Sequence, residues 1–184
     1  MSAGRKIVAC IATSADGYIA RPDGDVEWLN RRPDTIDYGM KEFYGSIDTI
    51  LWGRKTYDWA LDYHRTHDTS QPVFDSSLDN FVFSRTPPEQ PADGVTFVTE
   101  RLEPFIERLR SKPGKNIWMM GGAGLIASFL DAGQLDEFDI HVIPVLIGEG
   151  IPLVAPRHRD IELTLRHSQT YADGVVRLRY EVQR

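Results

Sequence analysis

The chain has 184 residues, 41% hydrophobic and 26% charged, enough for one domain spanning 1–184 with its own core. Its formal charge of -6 argues against a nucleic-acid or anionic-membrane partner, since either needs a basic stripe, yet a local cation cluster could still hold an anionic cofactor. Cys10 is the lone cysteine, which excludes an intrachain disulfide and a cysteine zinc cluster; no apolar run nears the ~20 residues of a membrane span and no signal-peptide pattern is present, so a cytoplasmic protein is expected.

Residues 6–13 (KIVACIAT) are short and apolar and stop at Ser14, Asp16 and Gly17, the pattern of a buried first strand. The Pro-, Gly- and Asp-rich stretch 20–33 reads as a loop carrying one large apolar residue, Trp28. Asp34 or Thr35 is placed to cap a helix over 36–46, with Met40, Phe43 and Tyr44 near one face. Residues 48–52 form a second buried strand, Gly53 breaks it, and a helix opens at Arg54. Residues 62–78 read as a polar loop. Strands 81–84 and 95–98 flank a Pro-rich turn, and a helix over 102–110 follows. Residues 116–120 make a fifth strand, broken by a glycine turn that leads into a helix ended by Gly133. Residues 137–148 read as one long strand. The tail, 161–182, reads as two strands around Asp173-Gly174, a strong hairpin signal.

Alternating strands and helices followed by an antiparallel pair define an α/β fold with a mostly parallel sheet. Ligands bind beyond the carboxyl ends of such strands, so the residues just after each strand carry the information. Gly121-Gly122-Ala123-Gly124-Leu125 joins a strand to a helix, where glycines admit a phosphate to the backbone and the helix N-terminus offers free N–H groups; a ligand-free tight turn is the alternative. The loose dinucleotide fingerprint in that turn lies at the last βα crossover, which speaks against a true Rossmann domain. Gly53-Arg54-Lys55-Thr56 and Ser84-Arg85 put two cation clusters at the same sheet edge. Together they suit the phosphates of NADP, and each arginine alone could equally be solubilising charge. Asp37 is either a substrate-orienting carboxylate or a first-turn residue stabilising its helix dipole. The five histidines, His64 and His67 among them, make no metal pattern, and no Ser-His-Asp or Cys-His arrangement is arguable.

These segments resemble the dihydrofolate reductase superfamily, and especially the branch containing the reductase domain of bifunctional riboflavin-biosynthesis proteins. The resemblance rests on ATSADGYIA at 12–20, DTILWGRKTY at 48–57, NIWMMGGAGLIASFL at 116–130 and PVLIGEGIPL at 144–153. It implies a dihydrofolate-reductase-like three-layer fold and hydride transfer from NADPH to a C=N carbon. It implies that Gly53, Arg54, Lys55 and Thr56 hold the adenosine phosphates, and that Ser84 and Arg85 line the adenine-ribose side. Gly121, Gly122, Ala123, Gly124 and Leu125 would form the diphosphate turn, its first peptide often cis in this family, with Ala12 and Ile19 near the nicotinamide. Asp37 falls on the catalytic carboxylate of dihydrofolate reductases when counted without a gap from Gly53.

Two departures bear on the substrate. Trp28 lies nine residues before Asp37, further than the family's tryptophan. Leu78, flanked by Asp75 and Asp79, occupies the position of the arginine that holds a folate tail, which disfavours folate. The reading is therefore an NADPH-dependent oxidoreductase for a pterin-like or aminopyrimidine-like heterocycle. Trp28 or Tyr38 would pack beside the substrate and loop 20–33 would serve as a lid. The riboflavin-type branch is commonly dimeric, so a homodimer is expected. The competing reading is a ligand-binding or interaction module that kept the fold and lost catalysis.

Overall fold

The computed structural model describes residues 4–30, 35–67 and 72–184. The first strand, β1 (Ile7–Ser14), leads through a tight turn to the short β2 (Tyr18–Ala20). After a 3-10 turn at Glu27–Leu29 come α1 (Met40–Gly45), β3 (Ile47–Gly53) and α2 (Arg54–His67). Then follow β4 (Asp79–Phe83), β5 (Val95–Val98), α3 (Leu102–Ser111), β6 (Asn116–Gly121) and α4 (Ala123–Asp131). The chain closes with β7 (Glu137–Ile143), β8 (Ile151–Pro152), β9 (Leu163–Thr170) and β10 (Val176–Val182).

Among the described residues, eight strands form one sheet in the order β5-β4-β3-β6-β1-β7-β10-β9. Neighbours from β5 to β7 pair parallel, and β10 and β9 add antiparallel. The expected hairpin turns at Gly174, which adopts φ 87°. Strand residues alternate between two cores because side chains project to opposite faces. Ile7, Ala9, Leu51, Ile117 and Met119 face Phe105, Ile106 and Phe129 of α3 and α4. Val8, Cys10, Ile50, Trp52 and Trp118 face Phe43 of α1 and Tyr57 of α2. The result is the three-layer architecture expected. No helix of the described residues is long and apolar enough to cross a membrane.

Several boundaries differ from the sequence expectation. Residues 62–67 continue α2 instead of opening a loop, and residues 68–71 lie outside the described set. The helix is sustained there by side chains one turn apart: Trp59 stacks on Tyr63 at 5.1 Å and Tyr63 on His67 at 3.9 Å, while Arg54 pairs with Asp58 at 2.9 Å. The expected strand over 137–148 ends at Ile143, because Pro144 has no N–H to donate and Ala15 N–H binds the Val145 carbonyl instead. The first tail strand begins at Leu163 rather than at 161.

The helix expected over 36–46 begins only at Met40. Of its two candidate caps, Asp34 lies outside the described residues and Thr35 is exposed. Tyr38 and Gly39 precede α1 in left-handed conformations, φ 53° and φ 78°. A Cβ at Gly39 would collide with the guanidinium of Arg177. That guanidinium is pinned below the corner, with Nε and Nη2 donating to Asp139 at 2.8 and 2.5 Å. Both partners are buried, at 7% and 2% side-chain exposure.

Removing one member of such a pair strands a buried charge, at about 3–5 kcal/mol. Asp139→Ala is therefore expected to lower the unfolding free energy by that amount in a urea titration; a loss under about 1 kcal/mol would show the pair to be dispensable.

Candidate functional site

The parallel strands deliver their carboxyl ends to one edge, and the glycines there permit close backbone approach. A Cβ on Gly53, at the end of β3, would lie 3.2 Å from the Gly121 carbonyl oxygen and 3.3 Å from Gly122 N, at the end of β6. A Cβ on Gly122 would lie 3.2 Å from Thr56 Oγ1. The two segments singled out in the sequence thus touch one another, and the Gly121–Gly122 peptide is cis. Gly122 begins α4 with no side-chain cap. The Leu125 and Ile126 N–H groups turn back to the Gly122 carbonyl, while those of Ala123 and Gly124 belong to the first turn, which lacks intrahelical acceptors. Open space surrounds Gly124 where a side chain would stand. Leu125 is half-buried and packs on the core beneath α4.

Arg54 opens α2 at the same edge. Its Nε donates to Asp58 at 2.9 Å, its Nη1 to the Thr86 carbonyl at 2.5 Å, and its guanidinium stands 5.9 Å from the Phe97 ring centre. Ser84 Oγ also donates to the Thr86 carbonyl, at 3.1 Å, so Arg54 and the Ser84–Thr86 turn form one contact group. Lys55 and Arg85 are exposed and take part in no ion pair among the described residues. Of the cations at this edge, Arg54 is the one already matched by a carboxylate.

The first and last segments of the resemblance meet at the turns after β1 and β7. Asp16 accepts hydrogen bonds from Ile147 N–H, at 3.2 and 3.3 Å to its two oxygens, and from Gly148 N–H at 2.7 Å. A hydrogen bond from Ser14, then those backbone N–H groups, hold the Asp16 carboxyl below the usual range. β2, carrying half-buried Ile19, pairs antiparallel with β8, and a Cβ at Gly150 would collide with the Ala20 carbonyl.

Beside this edge, on the α1 side of the sheet, lies a cavity of about 320 Å³. Ala12, Met120 and Ile143 line it from strand ends, Leu29 and Tyr38 from the loops, and His141 from β7. Contacts with described residues hold Tyr38 there. Its hydroxyl donates to Asp173 at 2.7 Å, its ring meets Tyr171 edge-on at 5.1 Å, and its carbonyl accepts from His141 Nε2 at 2.9 Å. Trp28 is buried one layer behind, in a cluster with Ile143 and Val175. Asp37 is exposed and does not line the cavity, although its neighbour Tyr38 does. Its carboxylate accepts from Lys41 N–H at 3.2 and 3.3 Å, as a residue capping α1 does.

His141, Cys10 and Met120 were not singled out in the sequence. The available signal was period-two alternation. Cys10 and Ala12 on β1, and Asp139 and His141 on β7, fall on one face, with Ala12 registered against His141. Two polar residues inside an apolar strand are themselves notable, since such groups are buried only with partners. Burial pushes the Cys10 thiol far up, with Asp139 adding to the effect, so it stays protonated. Burial also pushes His141 below the ordinary imidazole range. Among the described residues no group of three or more His, Cys, Asp or Glu is placed to hold a metal ion.

This layered sheet, with its glycine edge and adjoining cavity, is the architecture of dihydrofolate-reductase-like reductases. The chain belongs to the RibD C-terminal domain family, whose model matches residues 5–177. It is 35% identical to YyaP of Bacillus subtilis (strain 168), itself described as uncharacterized, over 96% of this chain and 94% of that one. Among solved structures it resembles a Shewanella sp. PV-4 protein assigned provisionally to riboflavin biosynthesis, with TM-score 0.83, 29% identity and coverage of 97% and 99%. It also shares the fold of the Enterococcus faecalis dihydrofolate reductase solved with NADP(H), with TM-score 0.65, 14% identity and coverage of 99% and 100%. Family and fold together point to a reductase-type function.

The His141 environment makes a stability prediction. Unfolded, the ring protonates near pH 6.5; folded, it resists, so the unfolded state binds more protons as pH falls. Its contribution is complete above that pH and declines as pH drops through it. Thermal melts from about pH 7.5 to about pH 5.5 should show destabilisation that is smaller in His141→Gln. An equal pH slope in both proteins would contradict the assignment.

Proposed function

We propose that the protein is an NADPH-dependent reductase that transfers hydride to a small heterocyclic or imine substrate. The observation that carries this reading is the mutual contact of Gly53, Thr56 and the Gly121–Gly122 turn, beneath two helix N-termini at one sheet edge. A diphosphate fits that place: side chains are missing where it would approach, and first-turn N–H groups and the positive dipole ends of α2 and α4 favour an anion. NADPH, when bound, supplies the hydride. Gly121 to Leu125 would receive its diphosphate, with Thr56 beside them. Arg54, Lys55, Ser84 and Arg85 would surround the adenosine 2′-phosphate, where the two exposed cations carry charge not already matched. Ala12 and Ile19 would border the nicotinamide, since Ala12 lines the cavity from β1, the strand beside β6.

The substrate would occupy the cavity, against Tyr38 and with Trp28 supporting the wall. Its few polar groups favour a flat, largely apolar ring. Asp37, exposed next to the lining residue Tyr38, would orient the substrate and relay a proton through water. Two copies would form a homodimer, as in the riboflavin-type branch.

Titration with each nucleotide, following tryptophan fluorescence, tests the cofactor. NADPH is expected to bind at micromolar or tighter levels and clearly better than NADH. Arg54→Ala should weaken NADPH by about tenfold and NADH far less, since a charged hydrogen bond contributes about 1.5–3 kcal/mol. Equal losses would remove the 2′-phosphate role, and no binding of either nucleotide would overturn the reductase reading. Asp37→Asn should lower kcat by about 10²-fold with NADPH binding retained. Unchanged turnover would leave Asp37 as the cap of α1.

A further inference from the structure

The cavity wall holds one group that the proposed cofactor site and Asp37 do not use. His141 is buried on β7 and faces the cavity, with Ala12 beside it on β1 and Arg177 beside it on β10. The Tyr38 carbonyl can only accept, so the proton of the neutral ring lies on Nε2, 2.9 Å from that oxygen. Nδ1 is then an unprotonated acceptor. It has no hydrogen bond to a described residue, and it is not among the buried side-chain atoms sealed off without a partner. A fixed ring in the cavity wall with one lone pair unused by a described residue is a preset hydrogen-bond acceptor.

The rest of the wall defines what that acceptor meets. Trp118, Met120, Met40 and Leu29 supply flat or adaptable apolar surface. Among the described residues the lining carries no carboxylate, ammonium or guanidinium. The nearest cation on β10, Arg177, is saturated by Asp139. We propose that His141 is a substrate-contacting, specificity-determining residue whose Nδ1 accepts a hydrogen bond from the N–H edge of a flat, uncharged ring seated in this cavity. This rests on the cavity being the substrate seat, and it does not depend on which nucleotide is used.

The groups facing His141 are Cys10 from β1, Asp139 from its own strand, Arg177 from β10 and Tyr38 from the loop, with Tyr171 and Asp173 behind Tyr38. Among the described residues Cys10 stays a thiol, and Asp139 and Arg177 neutralise one another, which leaves the imidazole as the group of this set that gains charge as the pH falls. Protonation of Nδ1 converts the acceptor into a donor, so recognition of an N–H edge is lost in acid.

The test uses two probes with no nucleotide present: pterin, a flat bicycle with an N–H edge, and quinoxaline, a bicycle without one. The wild-type chain should bind pterin better than quinoxaline. As the pH is stepped down from about 7, pterin affinity should fall as the imidazole protonates, and quinoxaline affinity should hold. Nitrogen-15 NMR of the wild type should show a neutral Nε2–H ring whose Nδ1 signal moves on adding pterin; this readout needs no variant to fold. His141→Phe should abolish the preference for pterin, with quinoxaline binding kept as proof of an intact cavity. Failure of the wild type to bind pterin, an unmoved Nδ1 signal, or pterin binding independent of pH would each overturn the inference. Nucleotide binding is measured separately. Loss of NADPH binding with a His141-dependent pterin response would sink the reductase reading alone, and the reverse pattern would sink this inference alone.

Discussion

The Asp139–Arg177 ion pair organises the functional half of the molecule. It joins β7 to β10 inside a nearly dry layer, where an uncompensated charge would be costly. The Arg177 guanidinium in turn fills the space under Gly39, so the chain crosses above it with no side chain and with a left-handed turn. That turn delays α1 to Met40 and aims the Tyr38 carbonyl at His141. The cavity wall, the imidazole tautomer and the start of α1 are consequences of one buried pair.

A second constraint acts at the strand ends. β3 and β6 approach closely here: a Cβ on Gly53 would crowd the Gly121 carbonyl, and Gly121 adopts φ 106°, a conformation that disfavours a side chain. Such an edge leaves helix N-termini and backbone groups available to an anion, and it places that anion next to, not inside, the cavity. Two neighbouring environments result. One is polar and open, suited to phosphates; the other is apolar and lined by few hydrogen-bonding groups. The proposed reductase would use both, because a charged carrier would present its reactive ring to a largely uncharged partner.

Much of this was legible in the residues themselves. Strands in an α/β chain read as short apolar runs bounded by turn or polar residues, and β1, β3, β5 and β6 were recoverable to within a residue or two. The glycine and arginine segments at the edge were legible because each directly follows a buried strand. The second half of α2 was not, since its stability comes from stacking of Trp59, Tyr63 and His67 rather than from an apolar stripe. His141 and Asp139 were hidden for a different reason. A polar residue in an apolar strand has meaning only once its cross-strand partners are known, and Arg177 lies 38 residues beyond Asp139, in the second strand of the C-terminal hairpin. Asp37 shows the converse: a sequence count places a carboxylate at a helix start, while its engagement with Lys41 N–H depends on where that helix begins.

The Asp16 bridge has a consequence for how this chain can vary over evolutionary time. The turn after β1 and the turn after β7 are held together by one carboxylate and by the β2–β8 ribbon, although more than a hundred residues separate them. Surface loops ordinarily gain and lose residues freely. Here an insertion in either turn would slide Asp16 away from Ile147 and Gly148 and put the ribbon out of register. The two loops can therefore change length only in concert, and residues 15–20 and 146–152 should evolve as a single unit while the turn between β4 and β5 drifts on its own.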